Sequence, residues 1–389
     1  MKRKISLLLV LAMSTSFMLA GCNSKQNTKA NVDSDVVKIG VFEPMTGASA
    51  GGGQLEVEGV KLANKLYPTV LGKKVELVFA DNKSDKVEAA SAASNLVEQE
   101  KVNAIIGSCG SGNSMAAGDV VMDGKIPTVG ATCTNPLVTV GNDYYFRVCF
   151  IDPFQGSVMA KYAAEKLHAK KVALLQDVSS DYSVGICKFF TDSFVNITGD
   201  KDAIVAKSKY NTGDQDFSAQ LININSTNPD VIFAPGNFTE CALIIKQARQ
   251  LGITTPIIGG DTWETPEFLE IGGDAVEGTV FSTFFATETP ITEESSVFLD
   301  AYREEYKKEP SAGTALAYDA YLVILDAIKR ADSTDPVKIR DEIAKTKNFP
   351  GAAGMITIDE NHNAVKDAVL KVVKDGKFTY LDTVKPEEN

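Results

Sequence analysis

The sequence contains few of the side chains that carry most catalytic and metal-binding chemistry. Its 389 residues include only two histidines, one tryptophan and six cysteines. The cysteines have neither CxxC spacing nor the Cys/His spacing of a zinc site. Both histidines, His168 and His362, lie in stretches that read as solvated turns, away from any serine motif. We therefore predict no catalytic residue, no metal site and no cofactor.

An excess of positive charge is also missing. Lysine and arginine total 39 against 51 aspartates and glutamates, which gives a formal net charge of −12. This acidity argues against nucleic acid or an anionic lipid surface as a partner of the folded body. The composition is 44% hydrophobic and 23% charged, as in globular proteins, and the length favours two α/β domains.

Only the N-terminus carries a long hydrophobic run. Three basic residues precede an apolar stretch over residues 5–20, and Leu-Ala-Gly-Cys22 follows it. The pattern predicts a signal peptide over 1–21, whereas an uncleaved membrane anchor is disfavoured because the run is short for a span. A cysteine directly after Leu-Ala-Gly matches the bacterial lipoprotein box. We therefore predict a lipid on Cys22, a polar tether over 22–35 and a location on the extracytoplasmic face of the cell membrane.

The cysteines that follow Cys22 number five, so at least one thiol has no partner within the chain. Cys109 and Cys133 end two successive predicted strands, which leaves a disulfide between them open. A soft-metal site built from these two and Cys149 is a weaker alternative. Small buried apolar side chains are the favoured interpretation.

From residue 36 onwards, apolar strands alternate with amphipathic helices at βα spacing. The predicted strands of the first unit cover 36–42, 75–80, 104–106 and 126–129, and those of a second unit cover 171–175, 203–207, 231–234 and 256–258. Three helices near 293–308, 314–330 and 336–346 then precede β segments at 355–358 and 368–373. Strands that late in the sequence indicate that the chain crosses between the two units more than once.

The central stretch of the sequence is 102–113. Its apolar run 104–106 breaks into small polar residues before a helical pattern, which predicts a buried parallel strand, a tight loop and a helix start. Free N–H groups and the helix dipole favour an anion such as a carboxylate there. The loop is neither a Walker A loop, a GxGxxG motif nor a GxSxG elbow. The alternative is that it only turns the chain from strand to helix.

Two further loops share this small-residue composition. Residues 45–53 and 130–135 follow predicted strands, as residues 107–112 do. Ligands of open parallel sheets bind outside the carboxyl ends of the strands. We therefore expect the three loops to share one crevice.

Several short motifs follow one another in an order and spacing that resembles a known family. They are KIGVFEPMTG at 38–47, AIIGSCGS at 104–111, FRV at 146–148 with Asp152 and Gln155-Gly156, DYSVG at 181–185, KQARQLG at 246–252 and AVEG at 275–278. Over about 36–381 the chain resembles the type I periplasmic solute-binding proteins of ABC importers, in particular the leucine/isoleucine/valine-binding group.

The resemblance implies a two-lobed α/β fold. Each lobe is a mostly parallel sheet flanked by helices, and three hinge crossovers let the lobes close over a small ligand. We expect lobe 1 to comprise 36–152 and 284–350, and lobe 2 to comprise 153–283 and 351–385.

The resemblance also implies roles for individual residues. Ser111, helped by Thr134, matches the serine that holds the ligand α-carboxylate. Thr132 stands where the family presents a carbonyl to the α-ammonium, which Asp261 would pair with. The remaining predicted contacts lie in the same loops or on the second lobe: Cys133, Tyr182, Asn237, Phe238 and Trp263.

The function implied is capture of a small amino acid, branched-chain or related, by a lipid-anchored monomer that passes it to an ABC permease. Residues 51–53 are glycines where family members often place an aromatic side chain, so the ligand side chain is not identified. A sensory module and a binder of another small carboxylate or amide are alternatives. An enzyme on the same architecture is a more remote one.

The lipoprotein box generates a direct prediction. Mass spectrometry of the native protein should find a diacylglyceryl-modified cysteine at position 22 as the mature N-terminus. An unmodified N-terminus elsewhere in the chain would contradict it.

Overall fold

The computed structural model describes residues 35–386. The predicted signal peptide, Cys22 and nearly all of the predicted tether lie outside these residues. Within the described range there are fifteen strands: β1 (Val36–Glu43), β2 (Thr69–Val70), β3 (Lys73–Asp81), β4 (Ala104–Ile106), β5 (Thr128–Gly130), β6 (Tyr145–Arg147), β7 (Val172–Asp177), β8 (Ile204–Tyr210), β9 (Val231–Phe233), β10 (Ile257–Gly259), β11 (Val280–Thr283), β12 (Phe349–Gly351), β13 (Gly354–Ile356), β14 (Ala368–Lys374) and β15 (Lys377–Val384).

Eleven α-helices accompany the strands in the same range. They are α1 (Ala50–Leu66), α2 (Lys86–Ser94), α3 (Ser111–Gly124), α4 (Asp152–Lys161), α5 (Asp181–Thr198), α6 (Ser218–Ser226), α7 (Phe238–Gln250), α8 (Pro266–Gly272), α9 (Glu293–Tyr306), α10 (Ala312–Ala331) and α11 (Pro336–Ile343). None of the helices in the described residues is both long enough and apolar enough to cross a membrane.

The first large sheet has the strand order β2-β3-β1-β4-β5-β6 and is parallel except at the β2–β3 edge. Its central strand, β4, is fully buried, as its unbroken apolar sequence predicts. The second sheet has the order β15-β14-β11-β10-β9-β7-β8, with β14 and β15 antiparallel to their neighbours.

The chain passes between the two sheets three times: after β6, after β11 and again before β14. This arrangement confirms the predicted two-lobed α/β architecture with three crossovers. The β12–β13 hairpin, which the predicted division splits between the lobes, contacts α9 and α10. The backbone N–H groups of Ala352 and Ala353 donate to the buried carboxyl group of Asp319 on α10.

Helix α10 forms the centre of the first lobe. It is apolar on nearly all sides and buried along most of its length, as expected for a helix enclosed by its own domain. It packs against α1 at Gly59, where a β-carbon would lie only 2.1 Å from the carbonyl oxygen of Thr314. The glycine therefore permits the two helix backbones to approach closely.

The close contact at Gly59 predicts the effect of a single methyl group. Gly59→Ala should lower the free energy of unfolding by about 1–3 kcal/mol, because backbone atoms of α10 must shift to admit it. The matched control is Gly313→Ala in α10, where the nearest atom to the new β-carbon is 3.5 Å away. Urea unfolding of the two variants should show a loss for the first alone, and an unchanged midpoint for Gly59→Ala would contradict the prediction.

Candidate functional site

A cavity of about 190 Å³ lies between the lobes, at the carboxyl ends of both sheets. The three small-residue loops of the first lobe meet there as predicted, contributing Gly52, Ser111 and Thr132 to the wall. The second lobe contributes the start of α5 and the segment after β10, including Tyr182 and Asp261. The cavity is therefore shared between the lobes.

Ser111 is the first residue of α3 and lines the cavity. The preceding Gly110 has φ of 90°, a backbone conformation that favours glycine, and it turns the chain sharply into the helix. The Ser111 hydroxyl accepts a hydrogen bond from the backbone N–H of Asn135 at 3.1 Å. First-turn N–H groups have no acceptor within their own helix, so this end of α3 favours an anion.

Asp261 faces the same space from the second lobe. Its carboxyl oxygen accepts hydrogen bonds from Gln155 Nε2 at 2.7 Å and from the Tyr182 hydroxyl at 2.9 Å. Burial raises the pKa of Asp261 to about 6, and the two donors oppose that rise. A neighbouring cation from a ligand would favour the ionised form further.

A glycine beside Asp261 leaves room for the Tyr182 hydroxyl to reach its carboxyl group. At Gly260 a β-carbon would lie 2.1 Å from the Tyr182 hydroxyl oxygen, so only glycine allows the tyrosine to reach the aspartate. The helix that follows, α8, is capped by Thr265, whose hydroxyl accepts from the Phe268 N–H. Asp261 therefore does not cap this helix.

Two buried glutamates form a feature that sequence reasoning missed. We call Glu43, Glu56, Cys109 and Thr132 the acidic corner. The Thr132 hydroxyl donates to Glu56 Oε1 at 2.5 Å, and the Cys109 N–H donates to Glu43 Oε2 at 2.6 Å. Burial raises the pKa of Glu43 well above its ordinary value and that of Glu56 to about 8, and the neighbouring Glu56 carboxyl raises the pKa of Glu43 further.

A sequence signal for this corner did exist. Glu56 lies four residues before Val60 and seven before Ala63, both fully buried, so it falls on the apolar stripe of α1. Glu43 directly follows the apolar β1 run and ends that strand. The signal for the acidic corner is therefore a charged residue at a core-facing position and not a sequence motif.

Three predicted contacts do not line the cavity. Trp263 is fully buried in the second-lobe core and stacks on Phe268 with ring centroids 4.9 Å apart. Thr134 is fully buried behind the wall beside the carboxyl group of Asp152. Cys133 is also fully buried, and its backbone carbonyl accepts from the Arg147 guanidinium.

Contacts between the lobes close the mouth of the cavity. The Lys86 ammonium on α2 pairs with the Asp181 carboxylate on α5 at 2.5 Å, and Asn135 Nδ2 donates to the Asp181 carbonyl at 3.0 Å. Asn237 and Phe238 both line the cavity, and Asn237 Nδ2 donates to the Ala48 carbonyl at 3.0 Å. Among the described residues that line the cavity, Lys86 is the sole basic one, whereas several have carboxyl groups.

Glu264 makes a further contact between the lobes at the back of the cavity. Its Oε1 accepts from Lys371 Nζ at 2.7 Å and from the Ala312 N–H at 3.2 Å. Its Oε2 accepts from the Thr283 hydroxyl at 2.5 Å. The ion pair with Lys371 is almost completely buried, at 4% and 6% side-chain exposure.

All five cysteines in the described part of the chain are free thiols. The disulfide left open between Cys109 and Cys133 is therefore absent from this structure. Cys133 instead lies against Cys149, and that contact lowers the pKa of the Cys133 thiol to about 7. No cluster of three metal-ligating side chains occurs within residues 35–386.

Comparison with known proteins identifies relatives along nearly the whole chain. Residues 36–377 match the family described as periplasmic binding protein. A Leu/Ile/Val-binding protein homolog from Brucella melitensis is 30% identical over 331 residues, which cover 83% of this chain and 87% of the relative.

Two solved structures share the fold and much of the sequence. The leucine binding protein LivK from Thermotoga maritima is 46% identical with a TM-score of 0.87, covering 90% of this chain and 99% of its own. The branched-chain amino acid binding protein LivJ from Streptococcus pneumoniae, in complex with isoleucine, is 37% identical with a TM-score of 0.84, covering 90% and 100%. The predicted type I periplasmic-binding-protein fold is thereby confirmed.

The buried carboxyl groups predict how stability depends on pH. A carboxyl whose pKa is raised in the folded state keeps its proton when the unfolded chain has lost it, so the folded state loses stability as pH rises from about 4 to the raised pKa. For Glu56, whose folded pKa is about 8, this loss amounts to up to about 1.4 kcal/mol per pH unit.

Denaturant unfolding of the ligand-free protein at pH 5 and pH 8 tests this. Glu56→Gln should gain stability relative to the wild type as pH rises, because the amide does not titrate. A difference between variant and wild type that stays constant with pH would contradict the expectation.

Proposed function

Because this chain belongs to the periplasmic binding protein family, we propose that it captures a small amino acid, branched-chain or related, outside the membrane and delivers it to an ABC permease. In this proposal a lipid on Cys22 holds the protein at the membrane, and the folded body acts as a monomer without a catalytic step. In this proposal the two lobes keep the predicted boundaries, except that the β12–β13 hairpin belongs with the first lobe, whose helices α9 and α10 it contacts.

One observation carries the proposal. A helix start that favours an anion and a buried carboxyl group face one cavity from different lobes, at Ser111 and Asp261. A zwitterion presents both complementary charges on one carbon atom. The relatives named for leucine or isoleucine support an amino acid as that zwitterion.

In the proposed complex, the α-carboxylate accepts hydrogen bonds from the Ser111 hydroxyl and the first-turn N–H groups of α3. The α-ammonium pairs with Asp261 and donates to the Thr132 carbonyl. Tyr182 orients the aspartate, and Phe238 packs on the ligand. Thr134, Cys133 and Trp263 support the wall from behind, and Asn237 acts through its contact with the first lobe.

Binding would favour closure for an electrostatic reason. A ligand that touches Ser111 on one lobe and Asp261 on the other interacts fully only when the lobes are together, so it shifts the population toward the closed state. The direct contacts at the mouth, such as Lys86 with Asp181, are partly exposed and individually weak. The ligand therefore supplies much of the preference for closure.

The test is calorimetric titration of the wild type and Asp261→Asn with leucine, isoleucine and valine. Removing one partner of a buried charge pair costs about 3–5 kcal/mol, so affinity should fall at least about a hundredfold. Asp192→Asn, an exposed aspartate of α5 that pairs with Lys188, is the control and should bind normally.

Two results would overturn the proposal. If no α-amino acid binds the wild type while other small carboxylates do, the ammonium subsite is wrongly assigned. If Asp261→Asn binds normally, Asp261 is not part of the site.

A further inference from the structure

The acidic corner presents an unsatisfied acceptor to the cavity. Glu56 lines the wall and is 1% exposed, and its Oε2 has no N–H or hydroxyl donor among the described residues. Beyond Thr132, the groups that face this carboxyl are the Glu43 carboxyl and the Cys109 thiol. The cavity therefore contains a buried polar group that its own protein does not fully satisfy.

A missing side chain leaves this corner open to the cavity. Gly52 lies on α1 one turn before Glu56 and so on the same face of the helix. A β-carbon at Gly52 would lie 3.1 Å from Cys109 Sγ, so any larger residue would cover the thiol and the carboxyl behind it. The glycine gives a bound molecule access to Glu56.

The corner offers hydrogen bonding rather than a strong negative charge. No lysine or arginine of the described wall neutralises it, since Lys86 is already paired with Asp181. Burial raises the pKa of both Glu43 and Glu56, which favours their neutral, protonated forms. A neutral donor on a ligand would suit such a pair.

We propose that the acidic corner recognises the ligand side chain, and that the preferred ligand is an amino acid with a hydroxyl group on its β-carbon. This inference rests on the proposed function, because it takes the α-carboxylate and α-ammonium to be held at Ser111 and Asp261. An aliphatic side chain has no donor and would leave Glu56 Oε2 unpaired. A hydroxyl donates to that oxygen, and the remaining methyl group contacts Leu55 or Phe284 in the wall.

Threonine and valine provide a nearly isosteric pair that differs in this hydroxyl. Calorimetric titration of the wild-type protein should give a dissociation constant for threonine at least about tenfold lower than that for valine. Glu56→Met, which replaces the carboxyl by an apolar group of similar length, should abolish or reverse this preference. Glu56→Gln, which keeps an acceptor, should retain part of it.

Glu58→Gln is the matched control. Glu58 lies on the same helix, but its carboxyl group accepts from Tyr302 and Lys308 instead of facing the cavity. The ratio of threonine to valine affinity should equal that of the wild type.

The outcomes separate the two proposals. Tight valine binding with equal or weaker threonine binding by the wild type would overturn the role of the acidic corner and leave the proposed function standing. Retention of the threonine preference in Glu56→Met would do the same. Binding of no amino acid at all would overturn the proposed function itself. Because the wild-type comparison decides on its own, a variant that fails to fold does not weaken the test.

Discussion

The buried carboxylate of Glu264 is the contact on which the relation of the two lobes depends. It joins three segments that meet beside a crossover: Lys371 on β14, Thr283 at the end of β11 and the Ala312 N–H at the start of α10. A desolvated ion pair contributes little net stability against an apolar replacement, but losing one partner leaves an uncompensated charge. Its effect is therefore to fix geometry. The first turn of α10 and the end of β11 are held at one point, and the cavity lies in front of them.

Much of the fold follows from local sequence. The apolar runs that become β4, β9 and β10 have no alternating polar residues. Parallel strands that are covered on both faces are expected to be apolar throughout. The sequence pattern does not predict strands β2, β6, β11, β12 and β15. The sequence of β11 ends in Ser282 and Thr283, polar residues that are buried because Gln155 and Glu264 satisfy them. β15 alternates at a sheet edge, where neither face is fully buried and the apolar signal is weak.

Some residues of the candidate site could likewise be predicted from the sequence, and others could not. Motif order placed Ser111, Thr132, Tyr182 and Asp261 in one cavity wall, because their loops follow strand ends that the topology brings together. Trp263 is different: proximity in sequence to Asp261 says nothing about direction, and the short 3₁₀ turn there directs the indole into the core. Glu43 and Glu56 are neighbours because the end of β1 approaches one face of α1. A short stretch of sequence does not indicate such an approach.

The packing of α1 against α10 has a consequence for the order in which the chain folds. The two helices lie more than two hundred residues apart, with strands β7 to β11 of the second lobe between them in sequence. A chain made from its N-terminus has all six strands of the first sheet long before α10 exists. Until then the residues of α1 that pack on α10 have no partner, although α1 can already contact β1, so the first lobe cannot complete its core before α10 is made. We therefore expect the first lobe, although its synthesis begins first, to complete its native packing only after most of the second lobe has been made.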